Sequence, residues 1–139
     1  MTGRHVTDPA DELFDVLTDD GSPTGETKRR ADVHRDGDWH RAFHLWVVQR
    51  PAEGPDHVLF QRRADGKDTW PNRLDVAVGG HFRAGETIDD VVREIDEEIG
   101  IQPERSDLVF VGGRRVVNLN SEWRDREIQV IYILPIRGP

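Results

Sequence analysis

Three glutamates, Glu94, Glu97 and Glu98, stand where an α-helix would bring their carboxylates together. Each helical residue advances roughly 100°, so Glu97 lies about 60° and Glu98 about 40° around from Glu94. Like charges at these spacings repel, and two of them sit beside the helix C-terminus, where the macrodipole also disfavours anions. Asp89, Asp90 and Asp96 add to the load against a single Arg93. A bound cation is the natural compensation, and oxygen ligands in this number suit Mg²⁺ or Mn²⁺, with water and substrate phosphate completing the shell. The competing reading is an ordinary solvated acidic face in a chain with 27 Asp and Glu. Gly79-Gly80 and Gly85, just before the helix, favour the first reading, because they allow tight turns and close backbone approach at a phosphate site.

The element that must carry these acids is legible. Between Thr87 and Ile99 the apolar residues Ile88, Val91, Val92, Ile95 and Ile99 recur at helical intervals, with Thr87 placed to cap the start and Gly100 the end. Around it the chain reads mostly as strands. Leu13 to Leu17 followed by the turn residues of 19–25 predicts a hairpin into Glu26 to Val33, and His34 to His40 reads as a polar loop. Ala42 to Gln49, His57 to Arg62, Leu74 to Val78, Leu108 to Val111, Arg115 to Leu119 and Ile128 to Leu134 read as further strands, with 123–125 in a loop. One strong helix among strands, with a second helix unassigned, predicts an α/β (α+β) fold rather than a doubly wound parallel sheet. Residues 1–11 read as a flexible N-terminal arm and 12–139 as a single domain.

Composition narrows the function. A formal charge of −8 argues against a nucleic-acid polymer as partner. The absence of cysteine excludes disulfides, thiolate metal sites and cysteine nucleophiles. No run reaches the roughly 18 apolar residues of a membrane span, so the expectation is no membrane partner and a cytoplasmic protein.

The stretch GGHFRAGETIDDVVREIDEEIGI resembles the signature of the Nudix hydrolases. Gly80, Glu86, Arg93, Glu94, Ile95, Glu97, Glu98, Gly100 and Ile101 supply its fixed positions, but six residues separate Glu86 from Arg93 where seven are usual. The deletion leaves the spacing of the three glutamates untouched and displaces Glu86 relative to Arg93. The resemblance implies a Nudix-type α/β/α sandwich around a mixed β-sheet with a loop-helix-loop motif. Gly80, Glu94, Glu97 and Glu98 would hold the metal, and Arg93 would orient the acids. It also implies hydrolysis of a nucleoside diphosphate linked to another moiety by water attacking phosphorus, with Glu94 as a candidate base. Members of the family usually carry a further C-terminal helix, and here Pro135 to Pro139 stops first, so the expectation is either a shortened sequence or a sheet face covered by another element or by a second subunit in a homodimer.

A second resemblance covers most of the chain. His34, Trp39-His40-Arg41, Gln61-Arg62-Arg63, Lys67, Trp70-Pro71, Gly79-Gly80-His81 and Glu127 are similar to the branch containing isopentenyl diphosphate isomerase and its hydrolase-like relatives. That resemblance implies a metal site at His34, His40 and His81, with Glu127 as a further acid, and diphosphate binding by Arg63 and Lys67. The isomerase's catalytic cysteine falls at Gly79, and its acidic pair falls on Asp125-Arg126-Glu127, where half of it is altered. Three functions follow: a metal-dependent diphosphohydrolase of nucleoside di- or triphosphates, an isomerase disfavoured by the missing cysteine, and a non-catalytic nucleotide-binding module.

Overall fold

A computed structural model describes residues 9–63, 65, 72–120 and 122–137. After a short 3-10 turn at Pro9–Asp11 come β1 (Leu13–Leu17), β2 (Pro23–Arg29), α1 (Arg30–Asp36), β3 (Trp39–Arg50), β4 (His57–Arg62), β5 (Leu74–Val76) and β6 (Val78–His81). Then follow α2 (Ile88–Ile99), a second 3-10 turn at Arg105–Asp107, β7 (Val109–Leu119) and β8 (Arg124–Arg137). The class is α+β, a mixed β-sheet with two α-helices among the described residues. No helix follows β8 among them.

The chain divides into two compact units, and strands β3, β6, β7 and β8 contribute residues to both. The first consists of Met1–Arg41, His81–Glu86 and Arg114–Gln129. In it β1 pairs antiparallel with β2 and meets the start of β3 at Leu17 and Trp39. Its interior holds Phe14, Val33 and Phe82, together with polar His40, Glu127 and Gln129. A core containing an imidazole, a carboxylate and an amide is costly unless those groups are satisfied.

The second unit consists of Ala42–Gly80, Thr87–Gly113 and Val130–Pro139. Here β3 pairs with β4 and β4 with β5, both antiparallel. Its interior is apolar: Phe43, Leu45, Val47, Val76, Val78, Val91, Ile95 and Leu134. The α2 helix forms as its periodicity predicts, burying Val91 and Ile95. Thr87 Oγ1 accepts from the Asp89 N–H at 3.3 Å, and the Asp90 carboxylate accepts from the Thr87 N–H at 2.7 Å. Gly100, at φ 72°, ends the helix by donating its N–H to the Asp96 carbonyl.

The strands read at Leu108 to Val111 and Arg115 to Leu119 form the single β7, and three further sequence expectations need correction. The second hairpin strand stops at Arg29, and residues 30–36 form a helix rather than continuing to Val33 as a strand. Its one buried apolar residue, Val33, gives no period to read, and the helix is held by tertiary and capping bonds instead. The Arg30 N–H donates to the Glu12 carbonyl at 2.7 Å, while left-handed Gly37 returns its N–H to Val33. Consequently 34–40 is not one polar loop: His34 lies on α1, and His40 lies near the start of β3. Finally, β8 begins at Arg124, so Asp125 lies on a strand and not in the loop assigned to 123–125.

Candidate functional site

Each of the histidines His34, His40 and His81 is delivered by a different element of the first unit: α1, β3 and the end of β6. Their ring centroids lie 5.1–5.6 Å apart. Phe14, fully buried on β1, stacks against His40 at 5.3 Å and His81 at 5.0 Å and forms an apolar floor beneath them.

Two acids close the group. On a strand, residues two apart share a face, so β8 presents Asp125 and Glu127 to the same histidines. Asp125 Oδ1 lies 3.3 Å from His40 Nε2 and 3.8 Å from His34 Nε2. Glu127 Oε1 lies 3.2 Å from His81 Nε2 and 4.0 Å from His40 Nε2. One ligand atom from each of His34, His40, His81 and Asp125 can be chosen so that all lie within 4.8 Å of one another. Asp125, which the sequence offers only as part of the altered acidic pair and not as a ligand, joins the group; strand alternation is the signal that points to it, once the strand is known to begin at Arg124.

The electrostatics of this group favour a cation. His40 Nδ1–H donates to the Asp38 carbonyl at 3.1 Å, which leaves Nε2 as the basic nitrogen. His40 Nε2 and Asp125 Oδ1 are both buried, lie 3.3 Å apart and have no hydrogen-bond partner beyond each other, so a proton or a metal cation between them would satisfy both. Burial pushes the Asp125 carboxyl above its usual range, and the neighbouring Glu127 charge adds to the rise against the lowering by His40. Burial would push Glu127 up too. The hydrogen bond and charge of His81, with the Gln129 amide, outweigh burial and hold Glu127 well below the usual carboxylate range. Three imidazoles and an ionised carboxylate are a fitting donor set for a divalent transition metal.

The glutamates read from the helix lie in the second unit. Glu94 is half-buried, and Glu97 and Glu98 are exposed on α2. An atom added at the Gly80 Cα would sit 3.9 Å from Glu94 Oε2 and 3.4 Å from the Phe43 ring, so the glycine turn passes directly beside that carboxylate. Arg93 pairs with Asp90. Glu86 belongs to the first unit, where it accepts from the Arg83 backbone N–H at 2.7 Å and from Arg83 Nε at 3.1 Å. Arg63, the residue after β4, pairs with Asp75 at 3.3 Å. Lys67 lies outside the described residues. At Gly79, a side-chain carbon would meet Val76 Cγ2 at 3.2 Å, so a cysteine there would require that methyl to give way.

The NUDIX domain pattern matches residues 38–138. The chain belongs to the Nudix family. It is similar to Nudix hydrolase 3 of Arabidopsis thaliana, at 38% identity over 94% of this chain and 17% of that protein. It is also similar to the isopentenyl-diphosphate Delta-isomerase of Paenarthrobacter aurescens, at 30% identity over 93% of this chain and 68% of that one. Relatives of both kinds are what the two resemblances imply. The chain spans 17% to 59% of the length of four curated Nudix hydrolases that it matches. The crystal structure of DR0079 from Deinococcus radiodurans shares the Nudix-type fold, with a TM-score of 0.61 at 22% identity over 92% of this chain and 74% of that one.

Proposed function

We propose that this Nudix protein is a divalent-metal-dependent hydrolase that cleaves a diphosphate bond in a small molecule, with nucleoside di- or triphosphates as the substrate class. One combination carries the reading: the box acids Glu94, Glu97 and Glu98 are retained, while Gly79 stands where the isomerase resemblance calls for cysteine. Without a thiol anywhere, the proton transfer of the isomerase lacks its acid.

Two donor sets are available, and each suits a different ion. Glu94, Glu97, Glu98 and the Gly80 carbonyl are hard oxygen donors that suit Mg²⁺. His34, His40, His81, Asp125 and Glu127 form an imidazole-rich set that suits a divalent transition metal better than Mg²⁺, with Mn²⁺ as a convenient probe. A divalent ion held there would polarise phosphoryl oxygens and acidify a water. Glu94, if left outside the ion's shell, would accept a proton from the attacking water as its oxygen bonds to phosphorus and the bridging P–O bond breaks, the other phosphate leaving as the anion. Arg93 orients the acids, and Arg63 and Lys67 bind the diphosphate. Glu86 has a lesser part, since its contacts run to Arg83.

The partners proposed are a small-molecule diphosphate and no nucleic-acid polymer, in keeping with the charge of −8. No helix among the described residues is long and apolar enough to cross a membrane, and the cytoplasm is the proposed compartment. Exposed Val109, Phe110 and Val111 on β7 support a homodimer.

A phosphate-release screen over nucleotides, sugar nucleotides and prenyl diphosphates, with and without Mg²⁺ or Mn²⁺, tests the reading. Release that depends on metal and is lost in Glu97→Gln and Glu98→Gln supports it. Unchanged release in both variants refutes the assignment of those acids. The histidine and acid group favours the isomerase as the second reading; proton exchange into isopentenyl diphosphate without phosphate release would select it. Nucleotide binding without turnover under any divalent metal would select a binding module.

A further inference from the structure

We propose that Gln129 and Arg114 form a relay that positions Glu127 at the histidine group, an inference that rests on reading that group as a metal site. Asp125, Glu127 and Gln129 alternate along β8 and share one face. Gln129 is almost fully buried, and its amide lies between two charged groups. Arg114, on the paired strand β7, donates to Gln129 Oε1 from Nε at 3.2 Å and from Nη2 at 3.0 Å. The Gln129 Nε2–H donates to Glu127 Oε2 at 2.9 Å.

The order of these bonds fixes the amide. A guanidinium has only donors and a carboxylate only acceptors, so the Gln129 oxygen must face Arg114 and its nitrogen must face Glu127. Flipping the amide would set N–H against guanidinium and carbonyl against carboxylate. With Oε2 held by the amide, Glu127 can present Oε1 to His81 and His40 and cannot rotate to share its charge elsewhere. The guanidinium also polarises the amide, which strengthens donation to the carboxylate in this dry setting. Gln129 touches neither the histidines nor Asp125 in any described bond. It is a positioning residue, as outer-sphere partners of metal ligands are.

Gln129→Glu separates the two halves of the relay. It keeps an acceptor for Arg114 and replaces the donor facing Glu127 with another acceptor. Mn²⁺ binding to the full chain, followed by electron paramagnetic resonance of the free ion, reads the effect, and His40→Ala identifies the binding that belongs to the histidine group. The expected result is a loss of about 10- to 100-fold in that affinity for Gln129→Glu. Arg114→Ala, on an exposed side chain, should weaken binding in the same direction, and Arg114→Lys should restore most of it, which a purely packing role would not produce. Wild-type affinity in Gln129→Glu and Arg114→Ala overturns the relay. If Gln129→Glu fails to fold, the Arg114 pair alone decides. Wild-type Mn²⁺ binding indifferent to His40→Ala overturns the metal reading itself, and the relay with it.

Discussion

Asp125 and Glu127 stand two residues apart on β8, and their carboxylates reach the Nε2 atoms of different histidines in one buried group. Asp125 Oδ1 is 3.3 Å from His40, and Glu127 Oε1 is 3.2 Å from His81. Arg126, between them, donates from Nη1 to the Gly37 carbonyl at 3.4 Å. The two acids differ in character: Asp125 is pushed towards its neutral form and Glu127 is held ionised.

Asp125→Asn removes a charge from the group while keeping its shape. Mn²⁺ affinity is expected to fall by at least about 10-fold, the lower end of what even an indirect partner of a metal ligand supplies. Isothermal titration with Mn²⁺ measures it, and an unchanged dissociation constant removes Asp125 from the site.

Metal binding should also stabilise the protein, because it satisfies His40 Nε2 and Asp125 Oδ1, which are buried without hydrogen-bond partners. At a free Mn²⁺ concentration of 100 times its dissociation constant, linkage gives about 2.7 kcal/mol. Thermal midpoints with Mn²⁺ and with chelator check this; no difference between them argues against specific binding.

The low titration of Glu127 has a definite sign. Its folded-state value lies below the ordinary 4.5, so its ionised form contributes stability fully present above that pH and lost as pH falls through the lowered folded value. His81, His40 and Asp125 face the same carboxylate, so the contribution must be isolated by difference. The gap in urea midpoint between wild type and Glu127→Gln, in chelator, should narrow steadily below about pH 4.5. A gap that widens on acidification contradicts the assignment.

For the helix acids the measurement is turnover. Glu97→Gln and Glu98→Gln each should lower metal-dependent phosphate release by about 100-fold, equivalent to about 2.7 kcal/mol of transition-state stabilisation. Circular dichroism should remain that of the wild type, since both side chains are exposed.

Thr87→Ala tests the helix that carries them. Losing the Thr87 cap should cost about 1 kcal/mol in denaturant unfolding. Ile95→Ala, at a fully buried position of the same helix, should cost about 2–5 kcal/mol. Equal losses would mean that the cap matters more than its hydrogen bonds allow.

How much of this was readable follows from where the determining interactions lie along the chain. The helix Ile88–Ile99, its Thr87 and Gly100 caps and its acidic face are local: apolar period, capping residues and charge spacing all fall within one short stretch. Strands β3 and β4 were also legible, because β-branched and aromatic residues are dense in both. The helix Arg30–Asp36 was not legible, since a single buried side chain, Val33, carries no period and the bond from Arg30 to Glu12 is tertiary.

The sequence by itself determined which residues had the chemistry: the glutamates of α2, the histidines and the missing thiol. Only the tertiary structure decided that α1, β3, β6 and β8 bring His34, His40, His81 and Asp125 within 4.8 Å, with Glu127 beside them. The reason is physical: ligand convergence depends on which strand face a side chain occupies and where the strand starts. A strand that starts at Arg124 instead of Ile128 separates a loop aspartate from one packed against His40.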